Sequence, residues 1–163
     1  MKYSIFALAL LVSLSAETPA AELVNAPAGA VKLLEVSAAG VQNYLCAAKE
    51  NSYAWVLQGP EASLFDASGH KIGAHSAGPV WKLLDGSAVV GEKVSEAPAP
   101  APQAIPWLLL RVKSHSGAGQ LTDTAWIRRI NTKGGVPPSN GCDAEHAGVI
   151  SRAPYSASYQ FLR

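Results

Sequence analysis

The sequence predicts an all-β protein, a single-domain sandwich or barrel of about eight or nine short, mostly antiparallel strands. Three observations lead to this fold class. Apolar and polar residues alternate with a period of two in several segments. No segment after the N-terminal region keeps apolar residues at helical spacing over successive turns. Glycine, proline and aspartate residues divide the chain at short intervals, as β-turns do.

The predicted strands begin and end at these turn residues. Their ranges are 40–46, 52–58, 61–66, 70–78, 80–85, 87–94, 105–112, 124–131 and 155–161. In the last strand Tyr155, Tyr159 and Phe161 alternate with serine and glutamine, which places aromatic rings on one face and polar groups on the other. The aromatic face is therefore expected to lie in the core.

Two further local patterns refine this prediction. The segment 105–112 is apolar at consecutive positions, so we expect a central strand that is covered on both faces and begins after Pro106. Asp85-Gly86 predicts a tight hairpin, here of type I′, in which both central residues have positive φ.

The first 21 residues have the organisation of a secretory signal peptide. Lys2 precedes an apolar run over 5–12, and small residues follow as far as Ala21. The run is shorter than the roughly 20 apolar residues that cross a bilayer. We expect cleavage after Ala16, Ala20 or Ala21, and a secreted or periplasmic protein without a membrane span.

The rest of the chain has the length of one domain. We expect an N-terminal lead-in over 22–39 and a single β domain over 40–163. The Pro-rich segment 96–103 contains Ala-Pro steps and predicts an extended loop. A linker between two domains is disfavoured, because each flanking half would be a small sheet of marginal stability.

Cys46 and Cys142 both lie in the part of the chain that is expected to be exported. Oxidising conditions and an even cysteine count predict a disulfide between them. The closed loop would have nearly a hundred residues, for which the chain-entropy model gives about 4.7 kcal/mol of stabilisation. A pair of metal-binding thiolates is the alternative, and it lacks the Cys-x-x-Cys spacing of zinc sites.

Charge and motif spacing argue against several functional classes. Cleavage after Ala16 would remove one of the 13 basic side chains, Lys2, and would leave as many basic as acidic side chains, since the chain has 12 acidic ones. A neutral protein has no electrostatic field that attracts nucleic acid or anionic membranes. The sequence over 117–122 lacks the third glycine and the following helix of a dinucleotide-binding loop. Ser114 and Ser116 flank His115, but neighbouring residues on a strand diverge, which disfavours a serine hydrolase.

The histidines are the candidate metal ligands. His75 and His115 lie on different predicted strands, with Asp85 or Asp123 as a carboxylate partner, and such a set could bind a transition metal. His70 lies at an odd offset from His75, so the two point to opposite faces unless a bulge at the intervening glycine resets the register. The favoured interpretation is structural: each histidine bonds a backbone carbonyl or caps a turn.

Arg129 and Trp81 complete the candidate site residues. Arg129 falls on the same strand face as Ile127, and an arginine there is expected to pair with Glu61, Asp66 or Asp85 or to fix a turn. The functional alternative is a clamp for an anionic ligand. Trp81 is one of four tryptophans on different predicted strands, which are expected in the core, although two of them could line a ligand pocket.

Several motifs occur in order along the chain: GVQNYLC over 40–46, a long string over 60–91, AIPWLLLRVKSHSGAG over 104–119, WIRRINTKGGVPP over 126–138 and Gly-Cys over 141–142. On these motifs the chain resembles a family of small secreted bacterial proteins, also found in fungi, that is known as a domain of unknown function. The matching positions are Gly40, Val41, Tyr44, Cys46, Pro60, Glu61, His75, Gly78, Pro79, Trp81, Asp85, Gly86, Pro106, Trp107, His115, Arg129, Asn131, Thr132, Gly141 and Cys142.

The resemblance spans residues 40–161 and implies no established activity. It supports the disulfide, and it favours His75 and His115 over His70 and His146. Some fungal members carry the label malate dehydrogenase, which this chain does not support, because it has no NAD-binding motif and is too short for a cofactor domain and a substrate domain.

The sequence favours non-catalytic binding of a small molecule or envelope component at a pocket formed by His75, Trp81, His115 and Arg129. One alternative is a metal-dependent enzyme that uses His75 and His115, with Asp85 as a third ligand. The other is a structural envelope component. No cofactor is expected apart from the transition metal of the first alternative, and no oligomeric state is predicted.

Overall fold

The computed structural model describes residues 22–163, and the predicted signal peptide over 1–21 lies outside them. Eight strands form one antiparallel sheet that closes into a barrel through pairing of the first strand with the last. The all-β prediction is confirmed. The strands are β1 (Lys32–Lys49), β2 (Ser52–Phe65), β3 (Lys71–Ser76), β4 (Val80–Leu83), β5 (Ala88–Ala97), β6 (Trp107–Ser116), β7 (Trp126–Gly134) and β8 (Ile150–Leu162).

The predicted strands over 52–58 and 61–66 are two parts of one strand, β2. Gly59-Pro60 is a bulge rather than a turn: Asn43 pairs with Gly59 and Tyr44 with Leu57, so Gln58 is an extra residue between them. The β1 strand also begins at Lys32 and therefore includes the last part of the predicted lead-in. The β1 and β2 strands are paired along nearly the whole length of β2.

The barrel interior is filled by side chains that alternate along each strand. In β8 Tyr155, Ala157, Tyr159 and Phe161 are buried, as the alternation predicts, and the serines between them are half-buried. The last residue, Leu162, is buried as well and departs from the alternation. In β6 Leu110 packs inside the barrel and Leu109 packs outside it. Both faces of β6 are therefore covered, and Pro106 precedes the strand as expected.

The outer cover of β6 is the segment that precedes β1. Val24 is fully buried against Ala97 and Leu109, and Trp107 and Trp126 pack around this small cluster. The backbone carbonyl of Val24 also accepts a hydrogen bond from Arg128 Nε at 2.8 Å. Two of the four tryptophans thus lie outside the barrel.

The predicted disulfide is present. The Cys46 and Cys142 Cα atoms are 5.3 Å apart, and the bond attaches the loop before β8 to β1 across a separation of 96 residues. Trp55 Nε1 donates to the carbonyl of Asn140 at 3.1 Å, so β2 contacts the same loop. The disulfide is compatible with an extracellular or periplasmic location.

The hairpin between β4 and β5 is present, but its predicted type is wrong. Gly86 has a φ of 95°, whereas Asp85 is not among the residues with positive φ. Gly86 N donates to Leu83 O and Leu83 N donates to Ser87 O, which matches a three-residue loop with glycine in its last position. Asp85 takes a different role, because its carboxylate accepts the backbone N–H of Ser87.

No helix among residues 22–163 is long and apolar enough to span a bilayer.

Candidate functional site

A cavity of about 1020 Å³ opens at one end of the barrel. Its wall includes the middle of β1 and of β2, the turn between β3 and β4, and residues along most of β5 and β6. Ile105, Leu108 and Leu110 give it an apolar surface, and His75 and Arg129 contribute nitrogen groups to the lining. This end of the barrel is therefore a concave site that combines apolar walls with polar and charged groups.

His75 lies in β3 directly opposite Trp81 in β4, and only 3% of its surface is exposed. The two rings are stacked, with centroids 4.2 Å apart and planes at 11°. His75 Nδ1 lies 2.8 Å from the backbone oxygen of Val80. Because a carbonyl oxygen only accepts, Nδ1 must carry the hydrogen, and Nε2 of the neutral ring is a hydrogen-bond acceptor.

The pKa of His75 is lowered to about 4. Burial is the main cause, because it disfavours the charged imidazolium, and the positive charge of Arg129 lowers the pKa further. The bond to Val80 opposes both effects without cancelling them. His75 is therefore neutral at physiological pH.

Arg129 lies in β7 between Leu108 of β6 and Tyr159 of β8 in the strand register. Its Nε and Nη2 atoms donate to the carbonyl of Pro106 at 3.1 and 2.8 Å. This bond pair ties β7 to the residue before β6 and corresponds to the turn-fixing role that the sequence suggested. The guanidinium also lines the cavity.

The predicted ion pair of Arg129 is wrong. Within residues 22–163, no carboxylate lies within salt-bridge distance of Arg129. Glu61 pairs with Arg152 at 3.0 Å, Asp66 contacts His70, and Asp85 bonds backbone and hydroxyl groups. The three proposed partners are occupied elsewhere, which leaves the Arg129 charge to the cavity.

Three tyrosines surround the Arg129 side of the barrel. Tyr44 donates its hydroxyl to Gly135 O at 2.7 Å, whereas the buried Tyr155 and Tyr159 hydroxyls have no partner within residues 22–163. Burial raises the pKa of each tyrosine, and the nearby Arg129 charge acts in the opposite direction. Arg129 is therefore a positive charge that is surrounded mainly by tyrosine side chains.

Two glycines make room for these rings. A Cβ on Gly91 would lie 2.9 Å from the Trp81 ring, and a Cβ on Gly135 would lie 2.9 Å from Cβ of Tyr155. Gly135 also has a φ of 86°, which favours glycine. Larger residues at these two positions would displace the aromatic side chains behind the cavity.

The cavity rim carries charges of both signs. Lys93 and Glu96 form an exposed pair at 2.8 Å, and Glu92 and Lys113 also line the opening. An exposed pair of this kind contributes little binding energy on its own. Arg129, which is half-buried, is the charge placed furthest from solvent among those in the lining.

Of the predicted site residues, the structure brings His75 and Arg129 to the cavity. Trp81 is behind His75, only 1% exposed, and contacts Tyr159 and Phe161 rather than the cavity. His115 lies elsewhere: it is exposed, its Nε2 is 2.7 Å from Thr124 O, and it lines a shallow pocket of about 370 Å³. The four residues that were predicted to form one pocket therefore do not share a pocket.

The candidate metal ligands do not converge. Among residues 22–163, no three His, Cys, Asp or Glu side chains are close enough to hold a metal ion together. The Asp85 carboxylate accepts three hydrogen bonds from Ser87 and Gln120, and these bonds lower its pKa. Asp85 therefore connects the β4–β5 hairpin to the loop before β7.

A bulge near Gly73, which the sequence left open as a possibility, is present, because Leu64 pairs with Gly73 and Phe65 with Lys71. It does not bring His70 to His75. His70 lies before β3, is exposed and contacts Asp66 at 3.5 Å.

Sequence reasoning did not single out the apolar lining or the amide of Gln42, which is 2% exposed. The only available signal was the resemblance at Tyr44, two residues from Gln42 on the same strand face. Apolar residues of core and cavity look alike in a sequence, so this part of the site needed coordinates.

Residues 27–163 match the family described as "Protein of unknown function (DUF3455)". The chain belongs to the DUF3455 family. The resemblance found in the sequence is therefore confirmed at the level of the family. No curated protein and no solved structure matches this DUF3455 chain.

Proposed function

We propose that the protein is an exported, non-catalytic binding protein that holds a small molecule in the cavity at the open end of the barrel. The observation that carries the proposal is the cavity itself, whose volume of about 1020 Å³ is at the upper end of the range of small-molecule sites. Its apolar walls would supply affinity, and the polar groups of the lining would orient the ligand.

The surrounding fold supports a preformed site. The cavity is bordered by paired strands, and Tyr44 is held by its bond to Gly135. The disulfide attaches the neighbouring loop to β1 at Cys46, two residues from Tyr44. A wall fixed in this way loses little conformational entropy on binding.

The proposed location is the periplasm or the extracellular medium. It rests on the N-terminal signal pattern and is compatible with the disulfide. A self-associating structural component is less well supported, because the eight strands close on themselves and leave no unpaired edge within the described sheet.

The test is a screen of small fragments that include anions, cations and neutral molecules, followed by two-dimensional NMR of the uniformly ¹⁵N-labelled protein. We expect at least one fragment to cause saturable shifts that concentrate at the cavity residues. Leu108→Trp should block these shifts by filling the cavity, because Leu108 lines it.

Leu84→Trp is the matched control, since Leu84 is 76% exposed and lies in the β4–β5 hairpin away from the cavity. It should leave the shifts unchanged. The proposal is overturned if no fragment of any charge gives saturable shifts at the cavity, or if Leu108→Trp binds the same fragments as well as the unaltered protein does.

A further inference from the structure

The chemistry of the ligand follows from two groups in the cavity. The first is the Arg129 guanidinium, which lines the cavity without a carboxylate partner within residues 22–163. Its Nε and one Nη2 hydrogen are used by Pro106 O. Within residues 22–163 its remaining N–H groups form no hydrogen bond, although the Tyr159 hydroxyl lies close to the guanidinium. A guanidinium with free N–H groups on adjacent nitrogens matches the geometry of a carboxylate.

The second group is Nε2 of His75. Val80 O fixes the hydrogen on Nδ1, so Nε2 offers a lone pair, and His75 is part of the cavity lining. Among residues 22–163, no protein group bonds to Nε2. A ligand that fills this part of the cavity therefore needs a hydrogen-bond donor there, such as a hydroxyl or an amide N–H.

The two groups lie on the same side of the cavity, because Arg129 is paired with Tyr159 in the sheet and the Tyr159 ring centroid lies 5.1 Å from that of His75. An ammonium donor would be repelled by Arg129, so the donor must be neutral. The walls formed by Ile105, Leu108 and Leu110 would contact an apolar portion of the ligand.

We infer that the ligand is a small monocarboxylate with an apolar body and a neutral hydrogen-bond donor, in which Arg129 binds the carboxylate and His75 Nε2 accepts from the donor. This inference rests on the proposed function. The two lysines of the lining, Lys93 and Lys113, are exposed at the rim, and Lys93 is paired with Glu96. Inside the cavity, one guanidinium with two of its hydrogens already used suits a monoanion better than a phosphate, which would need further donors.

Mandelate, phenylacetate and methyl mandelate test the inference by calorimetric titration. Phenylacetate lacks the hydroxyl of mandelate, and methyl mandelate lacks its charge. We expect mandelate to bind about tenfold more tightly than either, because each loses one hydrogen bond to a buried or charged group. Both enantiomers are titrated, and the tighter one is compared.

Three variants assign the effect to residues. Arg129→Gln should weaken mandelate binding about tenfold and leave methyl mandelate nearly unchanged. His75→Phe keeps a ring against Trp81 and should remove the preference for mandelate over phenylacetate. Arg152→Gln is the control, because it removes the same charge from an exposed position paired with Glu61 and should change nothing.

The outcomes separate this inference from the proposed function. If cavity shifts are seen with neutral or cationic fragments but mandelate gives no saturable binding, the inference fails and the proposed function stands. Equal affinity for mandelate and its methyl ester overturns the role of Arg129. Equal affinity of the unaltered protein for mandelate and phenylacetate overturns the role of His75, even if His75→Phe does not fold.

Discussion

The two ends of the barrel use the same strands for opposite purposes. At the closed end, inward side chains such as Leu64, Ile127 and Phe161 are fully buried and pack on one another. At the open end, the inward positions carry residues such as Gln42 and Arg129, and a cavity remains. The alternation of inward and outward residues is equal at both ends, so the polarity and size of the inward residues decide which end is packed and which end keeps a cavity.

The largest predicted effect contrasts truncations at the two ends. Phe161→Ala should lower the free energy of unfolding by about 3–5 kcal/mol, because it creates a cavity in the packed end. Leu108→Ala should cost only about 1 kcal/mol, since Leu108 already borders an open cavity and is half-buried. Urea denaturation of both variants gives the two values. Equal losses would mean that the open end is packed as tightly as the closed end.

The next effect is the pH dependence that His75 introduces at the open end. Its pKa is about 4 in the folded protein and close to 6.5 in the unfolded chain. Between these values the unfolded chain binds the proton and the folded protein does not, so stability falls as the pH falls from about 6.5 to about 4. The total loss from this group is roughly 3 kcal/mol.

His75→Phe isolates this contribution, because the charged and titratable groups around His75 remain in place. These are Arg129 of β7 and the buried Tyr159 of β8. Urea denaturation at several pH values gives the difference in unfolding free energy between the protein and this variant. This difference should decrease as the pH falls from about 6.5 to about 4. A constant difference would show that His75 is not held neutral by burial.

The smallest predicted effect lies at the turn of the closed end. Gly86 has a φ of 95°, and valine resists that conformation, so Gly86→Val should cost about 1–3 kcal/mol. No atom lies within 4 Å of the added Cβ, which makes backbone strain the only cause. Gly86→Asn is the matched control and should cost less, since asparagine tolerates positive φ. Equal thermal stability of the three proteins would contradict this assignment of the hairpin.

The comparison of the two ends also explains what the sequence could predict. Alternation in β8 and the disulfide between Cys46 and Cys142 were predictable, because each depends on a local pattern or on the compartment. The Gly59-Pro60 bulge was not, since the same pair often forms a turn and only pairing with β1 makes it part of a strand.

The site was predictable only in part, for a related reason. Arg129 stood out as a charged residue on an apolar face, and His75 as a candidate metal ligand at a family position. Their common place at the cavity depends on barrel closure, which brings β3, β7 and β8 around one interior. His115 belongs to the same set of histidines in the sequence, yet it lies exposed beside Thr124. The carboxylates expected to pair with Arg129 have other partners: Asp66 and Asp85 contact nearby residues, whereas Glu61 pairs with Arg152 of another strand, which no spacing rule indicates.

The protonation of the His75 ring tests the account of the open end most directly. Long-range ¹H–¹⁵N NMR at pH 7 should detect a neutral ring with hydrogen on Nδ1 and a lone pair on Nε2, and the Nε2 signal should move when mandelate is added. A hydrogen on Nε2, or an Nε2 signal that does not change while mandelate occupies the cavity, would contradict the account.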